Sequence, residues 1–189
     1  MFENRSTALI ALGGNMETDV GSPQKTLSAA ISRLSENQIG VRAISRFFGT
    51  PCFPVGAGPD FVNAAIAVDF DGSPAQLLEQ LHRVEADFLR KRDQRWGMRT
   101  LDLDLLAVGQ QVLPDVSGFE SWLQLPTEQQ AQQAPAELIL PHPRIQDRAF
   151  VLVPLCDIAP KWRHPVLGRT VSEMCAALPV DDIAAVKPI

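Results

Sequence analysis

An α+β fold, with an antiparallel sheet backed by two helices, is what this 189-residue chain predicts. Three observations carry the prediction. Apolar runs of strand character recur between segments of helical spacing, each helical segment opens on a Ser-Pro pair, and the segments follow in the order β-α-β-β-α-β.

Residues 8–12 form an apolar run halted by Gly13-Gly14-Asn15, a buried strand ended by a turn. Ser22-Pro23 opens a helix, with Ser as N-cap and Pro in the first turn. Leu27, Ala30, Ile31 and Leu34 then share one face, and Gly40 ends the unit. Residues 41–48 predict the second strand. Residues 49–60 hold three Pro and three Gly, an irregular loop long enough to suggest a function. In residues 61–70, Val62, Ala64, Ile66 and Val68 alternate with Asn63, Ala65 and Ala67, the pattern of a third strand. Ser73-Pro74 caps the second helix, which carries Leu77, Leu78, Leu81, Val84, Glu85 and Phe88 on successive turns. A basic loop over 89–99 leads into a fourth strand at 100–108.

This order is the ferredoxin-like βαββαβ arrangement, here with C-terminal additions. A surface helix is expected over 126–134. Pro141-His142-Pro143-Arg144 reads as extended, because each Pro restricts the residue before it. Residues 150–158 are apolar and compact, and 171–178 predict a short helix. The whole chain, 1–189, is expected to be a single domain, with a core over about 8–160 and an extension over 161–189.

Composition narrows the function. The net charge is −5, from 17 basic and 22 acidic residues, which argues against nucleic acid or an anionic membrane as partner. An RNA-binding module on this fold would need a basic, aromatic-rich sheet; the chain has no Tyr at all. Cys52, Cys156 and Cys175 form no C-x-x-C pair, so reduced thiols and a cytoplasmic location are expected, without a thiolate zinc site. No apolar run reaches the length of about 20 residues that a membrane helix needs. The chain carries no glycine-rich phosphate loop followed by Lys and Ser/Thr.

The chemistry concentrates between residues 90 and 104. Five Lys/Arg residues (Arg90, Lys91, Arg92, Arg95 and Arg99) precede a strand bearing Asp102 and Asp104. Side chains alternate along a strand, so the two aspartates share one face, with Cα atoms about 7 Å apart, and Leu101, Leu103 and Leu105 share the other. An isolated pair of this kind is usually solvated. Beside a cationic loop in an acidic chain, it points instead to a small anionic ligand and to hard divalent cations, which oxygen ligands suit.

At this point the chain resembles the 6-hydroxymethyl-7,8-dihydropterin pyrophosphokinase family. The resemblance rests on Leu9-Ile10-Ala11-Leu12-Gly13-Gly14-Asn15, Ser45-Arg46-Phe47-Phe48-Gly49-Thr50-Pro51 and Asp60-Phe61-Val62-Asn63-Ala64-Ala65. It continues in Arg95-Trp96-Gly97-Met98-Arg99-Thr100-Leu101-Asp102-Leu103-Asp104, in Pro141-His142-Pro143-Arg144 and in Asp147-Arg148-Ala149-Phe150-Val151-Leu152-Val153-Pro154-Leu155. It implies transfer of pyrophosphate from ATP to hydroxymethyldihydropterin, with AMP released, in folate biosynthesis. Asp102 and Asp104 would hold two Mg²⁺ ions. Thr50, Pro51, Phe61, Asn63 and Phe150 would line the pterin pocket. His82, Glu85, Arg99, His142 and Arg148 match nucleotide-binding positions, and Arg90, Arg92 and Arg99 would act on the phosphates in catalysis. The resemblance implies no protein partner. Phe61 stands where the family often has Tyr, Met98 where it usually has Pro, and the stretch 115–136 is longer than in compact relatives.

Overall fold

The computed structural model describes residues 6–52, 56, 58–88, 99–126, 129 and 137–189. Its centre is an antiparallel pair, β1 (Ser6–Gly14) and β4 (Phe61–Phe70), joined along nine registered positions from Ser6↔Phe70 to Gly14↔Val62. The other side of β1 takes β5 (Asp102–Val108), an edge strand of the sheet. Against the far side of β4 lie β2 (Gly40–Ile44) and β3 (Phe48–Thr50). This is the ferredoxin-like order predicted from the sequence.

The predicted second strand over 41–48 is two strands. Ser45 lies between them and is buried; its amide donates to the Ala65 carbonyl at 2.9 Å, and its Oγ accepts from the Ala65 amide at 2.9 Å. A side chain that bonds the neighbouring backbone replaces the regular ladder at that point, and the strand breaks. Gly49 and Thr50, predicted as loop, belong to β3.

Helices α1 (Pro23–Glu36) and α2 (Pro74–Asp87) begin at their Ser-Pro pairs. Only Ser73 makes a full capping box with Gln76; the Ser22 side chain makes no cap bond. Leu27, Leu34, Leu77, Leu81 and Val84 press on Ile10, Leu12, Ile66, Leu103 and Leu105 to form the first core. The opposite face of the sheet is also covered. There α4 (Ala149–Ile158) and α5 (Val171–Ala176) pack Val151, Leu152, Leu155 and Met174 on Leu9, Ala11, Ala65 and Ala67. Two covered faces explain why every β4 residue from Asn63 to Val68 is buried. A bulge in β5 opposite Leu9/Ile10 turns both Leu106 and Ala107 toward this second core.

Three further departures concern the C-terminal half. A helix not foreseen, α3 (Val116–Leu123), is capped by Asp115, which accepts from the Gly118 amide at 2.8 Å, and is anchored by the fully buried Phe119. The helix predicted over 126–134 falls largely outside the described residues. The stretch at 141–144 is not extended throughout: Ile145 donates to the His142 carbonyl at 3.0 Å and closes a turn. Finally, α5 stops at Ala176, α6 (Val180–Ala184) follows, and β6 (Lys187–Pro188) returns to pair with Phe48 and Gly49. No helix among the described residues is long and apolar enough to cross a membrane.

Candidate active site

Strand register assembles the site. Asp102 lies opposite Gly13 on β1, and Gly13 lies opposite Asn63 on β4, which lies opposite Phe48. Residues in one such row point to one face of the sheet, so the aspartate and the amide stand two strands apart, about 10 Å. Asp104 belongs to the next row on that face, opposite Ala11. It is the face covered by α4, whose N-terminus brings Arg148 and Phe150 beside it. The small side chains Ala11 and Ala65, with Gly13, leave room there; the Asn63 Oδ1 would lie only 3.1 Å from a Cβ at Gly13.

Asp102 and Asp104 are both half-buried, and each faces a guanidinium. Arg99 pairs with Asp102, and Arg148 Nη1 lies 3.3 Å from Asp104 Oδ2. Arg148 also sits over the Phe150 ring, 5.7 Å from its centroid, which joins the acidic strand to the aromatic residue of α4.

The edge position of β5 leaves outward-facing backbone groups that need partners. Glu85 of α2 supplies one: it is 1% exposed, and its Oε1 accepts from the Leu103 amide, between the two aspartates, at 2.8 Å. A residue assigned from resemblance to nucleotide contact is thus held behind the strand. The His142 amide supplies another, donating to the Leu106 carbonyl at 2.8 Å. The His142 ring accepts from the Arg144 amide through Nδ1 at 3.1 Å. Burial, assisted by the Arg148 guanidinium, lowers its pKa to about 3, so the ring is neutral and its proton sits on Nε2.

At the other end of the row, Asn63 is buried and donates through Nδ2 to Thr50 Oγ1 at 2.8 Å. Thr50 is paired in register with Phe61, and Pro51 follows exposed at the loop entrance. The candidates therefore fall in two adjoining groups, an acidic–cationic group on β5 and α4 and an amide–aromatic group on β3 and β4. His82 is exposed on α2, and among the described residues no hydrogen bond or ion pair joins it to either group. Arg90 and Arg92 lie outside the described residues.

Asn15 is the organising residue that the sequence left as part of a turn. It is buried and its backbone amide donates to the Arg99 carbonyl at 2.9 Å, while its Oδ1 accepts from the Arg99 amide at 2.8 Å. Its Nδ2 donates to the Pro59 carbonyl at 3.0 Å. One side chain thus ties the start of the Asp strand to the loop before β4. A buried amide at the end of an apolar run was the available signal. Gly14 beside it has no room for a side chain, since a Cβ would meet the Thr100 carbonyl oxygen at 2.6 Å.

Known proteins match most of the chain. The family model described as 7,8-dihydro-6-hydroxymethylpterin-pyrophosphokinase (HPPK) matches residues 9–160. A 2-amino-4-hydroxy-6-hydroxymethyldihydropteridine pyrophosphokinase of Synechocystis is 33% identical over 184 residues, covering 96% of this chain and 80% of that protein. Its counterpart from Pseudomonas aeruginosa is 37% identical over 177 residues, covering 92% of this chain and 93% of that protein. Among solved structures, Plasmodium falciparum HPPK-DHPS superposes with a TM-score of 0.62 at 14% identity, a likeness of fold alone. It covers 92% of this chain, which spans 44% of that one.

Proposed function

Because the chain belongs to the 7,8-dihydro-6-hydroxymethylpterin-pyrophosphokinase family, we propose that its two adjoining groups divide that reaction between them. The chain is a pyrophosphokinase of folate biosynthesis, with ATP as co-substrate and hydroxymethyldihydropterin as acceptor. In the proposed division the β5 group takes the phosphates and the β4 group takes the pterin.

The observation that carries this reading is the row Asp102–Gly13–Asn63, which sets the acidic strand beside a buried amide with an open position between them. A flat heterocycle with polar edges suits an amide flanked by Thr50 and Phe61, with Phe150 of α4 assigned to the same ligand by resemblance. Asn63 can present both a donor and an acceptor to such an edge. Its present partner Thr50 keeps the amide oriented before a ligand arrives.

Asp102 and Asp104 fit Mg²⁺: they offer hard oxygen donors on one face, and among the described residues no group of three His, Cys, Asp or Glu completes a cage. Phosphate oxygens and water would supply the remaining ligands, and the bound ions would contribute neutralisation of phosphate charge. The protein's own share is positioning. Among the described residues, Arg99 and Arg148 already stand at the carboxylates and are assigned to the phosphate oxygens. His142, neutral and with Nδ1 engaged, is suited to donate a hydrogen bond through Nε2 and not to accept a proton. No strong general base is needed, because phosphoryl transfer depends chiefly on alignment and electrostatics. The acceptor hydroxyl attacks the β-phosphorus of ATP and AMP departs, with Arg90 and Arg92 assigned to the developing charge.

The test is incubation with ATP, Mg²⁺ and 6-hydroxymethyl-7,8-dihydropterin, followed by nucleotide analysis. AMP should form only when the pterin is present. Release of ADP, or no turnover, would overturn the reading.

A further inference from the structure

The row that assembles the site does not stop at Phe48. Pro188 of β6 lies opposite Phe48 and Lys187 opposite Gly49, so the register runs Asp102–Gly13–Asn63–Phe48–Pro188 through β5, β1, β4, β3 and β6. The Ile189 amide extends the pairing by donating to the Phe47 carbonyl at 3.0 Å. A strand as short as β3, Phe48–Thr50, keeps its place only through its neighbours. Its last residue, Thr50, accepts the Asn63 Nδ2 hydrogen bond at 2.8 Å. Just before β6, Val186 is buried with Phe48 and Ala149 in a small third core. Ala149 stands between Arg148 and Phe150 at the start of α4. Residues 186–189 lie outside the stretch 9–160 that the family model matches.

We propose that Val186 and the strand that follows it, through Ile189, are positioning residues for the acceptor substrate. β6 fixes β3 from its outer edge, and Val186 joins β3 to the start of α4. Together they hold Thr50 and Asn63 in place for the heterocycle. The inference rests on the assignment of the β4 group to the pterin. An amide reads a ligand best when it is held in place before the ligand arrives, because freedom left in β3 must be frozen on binding and lowers affinity. The Ile189 and Val186 contacts remove that freedom in the free protein. Asp102 stands at the other end of the row, two strands beyond Asn63, so loosening β3 at its outer edge acts on the pterin and spares the phosphates.

Steady-state AMP release by the full chain tests this, through kcat and the KM for each substrate. Ile189→Pro removes the amide that donates to Phe47, and Pro188 before it already has the strand conformation that a following Pro favours. The KM for 6-hydroxymethyl-7,8-dihydropterin should rise about fivefold, the net worth of one hydrogen bond. The kcat and the KM for ATP should stay at parental values, the split that marks lost ground-state binding of one substrate. Ile189→Val, which restores the amide, should restore the pterin KM. Val186→Ala, which thins the third core, should raise the pterin KM as well. Asn63→Ala is measured alongside to gauge the pterin assignment itself. The proposal is overturned if Ile189→Pro or Val186→Ala keeps the parental pterin KM while Asn63→Ala raises it. It is equally overturned if Ile189→Pro raises the KM for both substrates alike, the mark of a generally loosened fold. A parental pterin KM in Asn63→Ala would overturn the pterin assignment, and the proposal with it.

Discussion

The Leu103 amide donates to Glu85 Oε1 at 2.8 Å, so a buried carboxylate on α2 holds the backbone between Asp102 and Asp104. The two aspartates depend for their common direction on a strand whose outer edge, among the described residues, has no neighbouring strand. Glu85 takes the place of that neighbour.

Replacing Glu85 with Ala should therefore destabilise the protein by about 1–3 kcal/mol, the usual cost of a buried donor left without its acceptor. Glu85→Gln retains an acceptor oxygen and should cost less. Urea unfolding of both variants checks this; an alanine variant as stable as the parent would show that the strand needs no such support.

Asn63→Ala should weaken pterin binding by about 1–3 kcal/mol, because it removes the amide while sparing the carboxylates two strands away. ATP affinity should hardly change. Calorimetry with each ligand separates the outcomes, and equal losses for both would point to a folding defect.

Gly14→Ala should disturb the site without touching a ligand. Its Cβ would stand 2.6 Å from the Thr100 carbonyl oxygen, a backbone atom, so the segment from Arg99 to Asp102 must shift. Such overpacking costs about 1–3 kcal/mol. Turnover should fall more than the melting temperature alone predicts, and wild-type kinetics in this variant would sink the argument.

Acid should destabilise the fold in a defined window. His164 is buried, its Nδ1 accepts from the Val166 and Leu167 amides at 3.2 and 3.1 Å, and burial lowers its pKa from 6.5 to about 4. Between those values the unfolded chain binds more protons than the folded one, so stability declines as pH falls through that range and levels off below it. His142 extends the same trend down to about 3. His164→Asn keeps a side-chain acceptor near Nδ1 and removes one titrating group, so its unfolding free energy should fall less steeply over the window. Parallel curves for parent and variant would contradict the assignment.

Much of this was legible in the sequence because the signals were periodic. Alternation marked β4 from Phe61 to Phe70, Ser-Pro pairs marked the starts of both core helices, and the spacing of Asp102 and Asp104 placed them on one face. What escaped depended on long-range partners. Ser45 breaks a strand because Ala65 is opposite, which no local pattern records. Phe119 anchors α3 against the ring of His164, a partner distant in the chain. Glu85 stood in the sequence as a position on the α2 face and, by resemblance, as a nucleotide contact, because a helix face alone does not show which strand edge needs an acceptor. Asn15 looked like a turn residue until Arg99 and Pro59 stood beside it.

The most direct test of the account is AMP release by Asp102→Ala and Asp104→Ala at saturating Mg²⁺, each with a melting curve alongside. Both variants should stay folded and lose turnover by roughly 10²-fold or more, the scale expected when a group stabilising transition-state charge is removed. Folded variants that release AMP at near-parental rates would contradict the assignment of phosphate and metal chemistry to the β5 carboxylates.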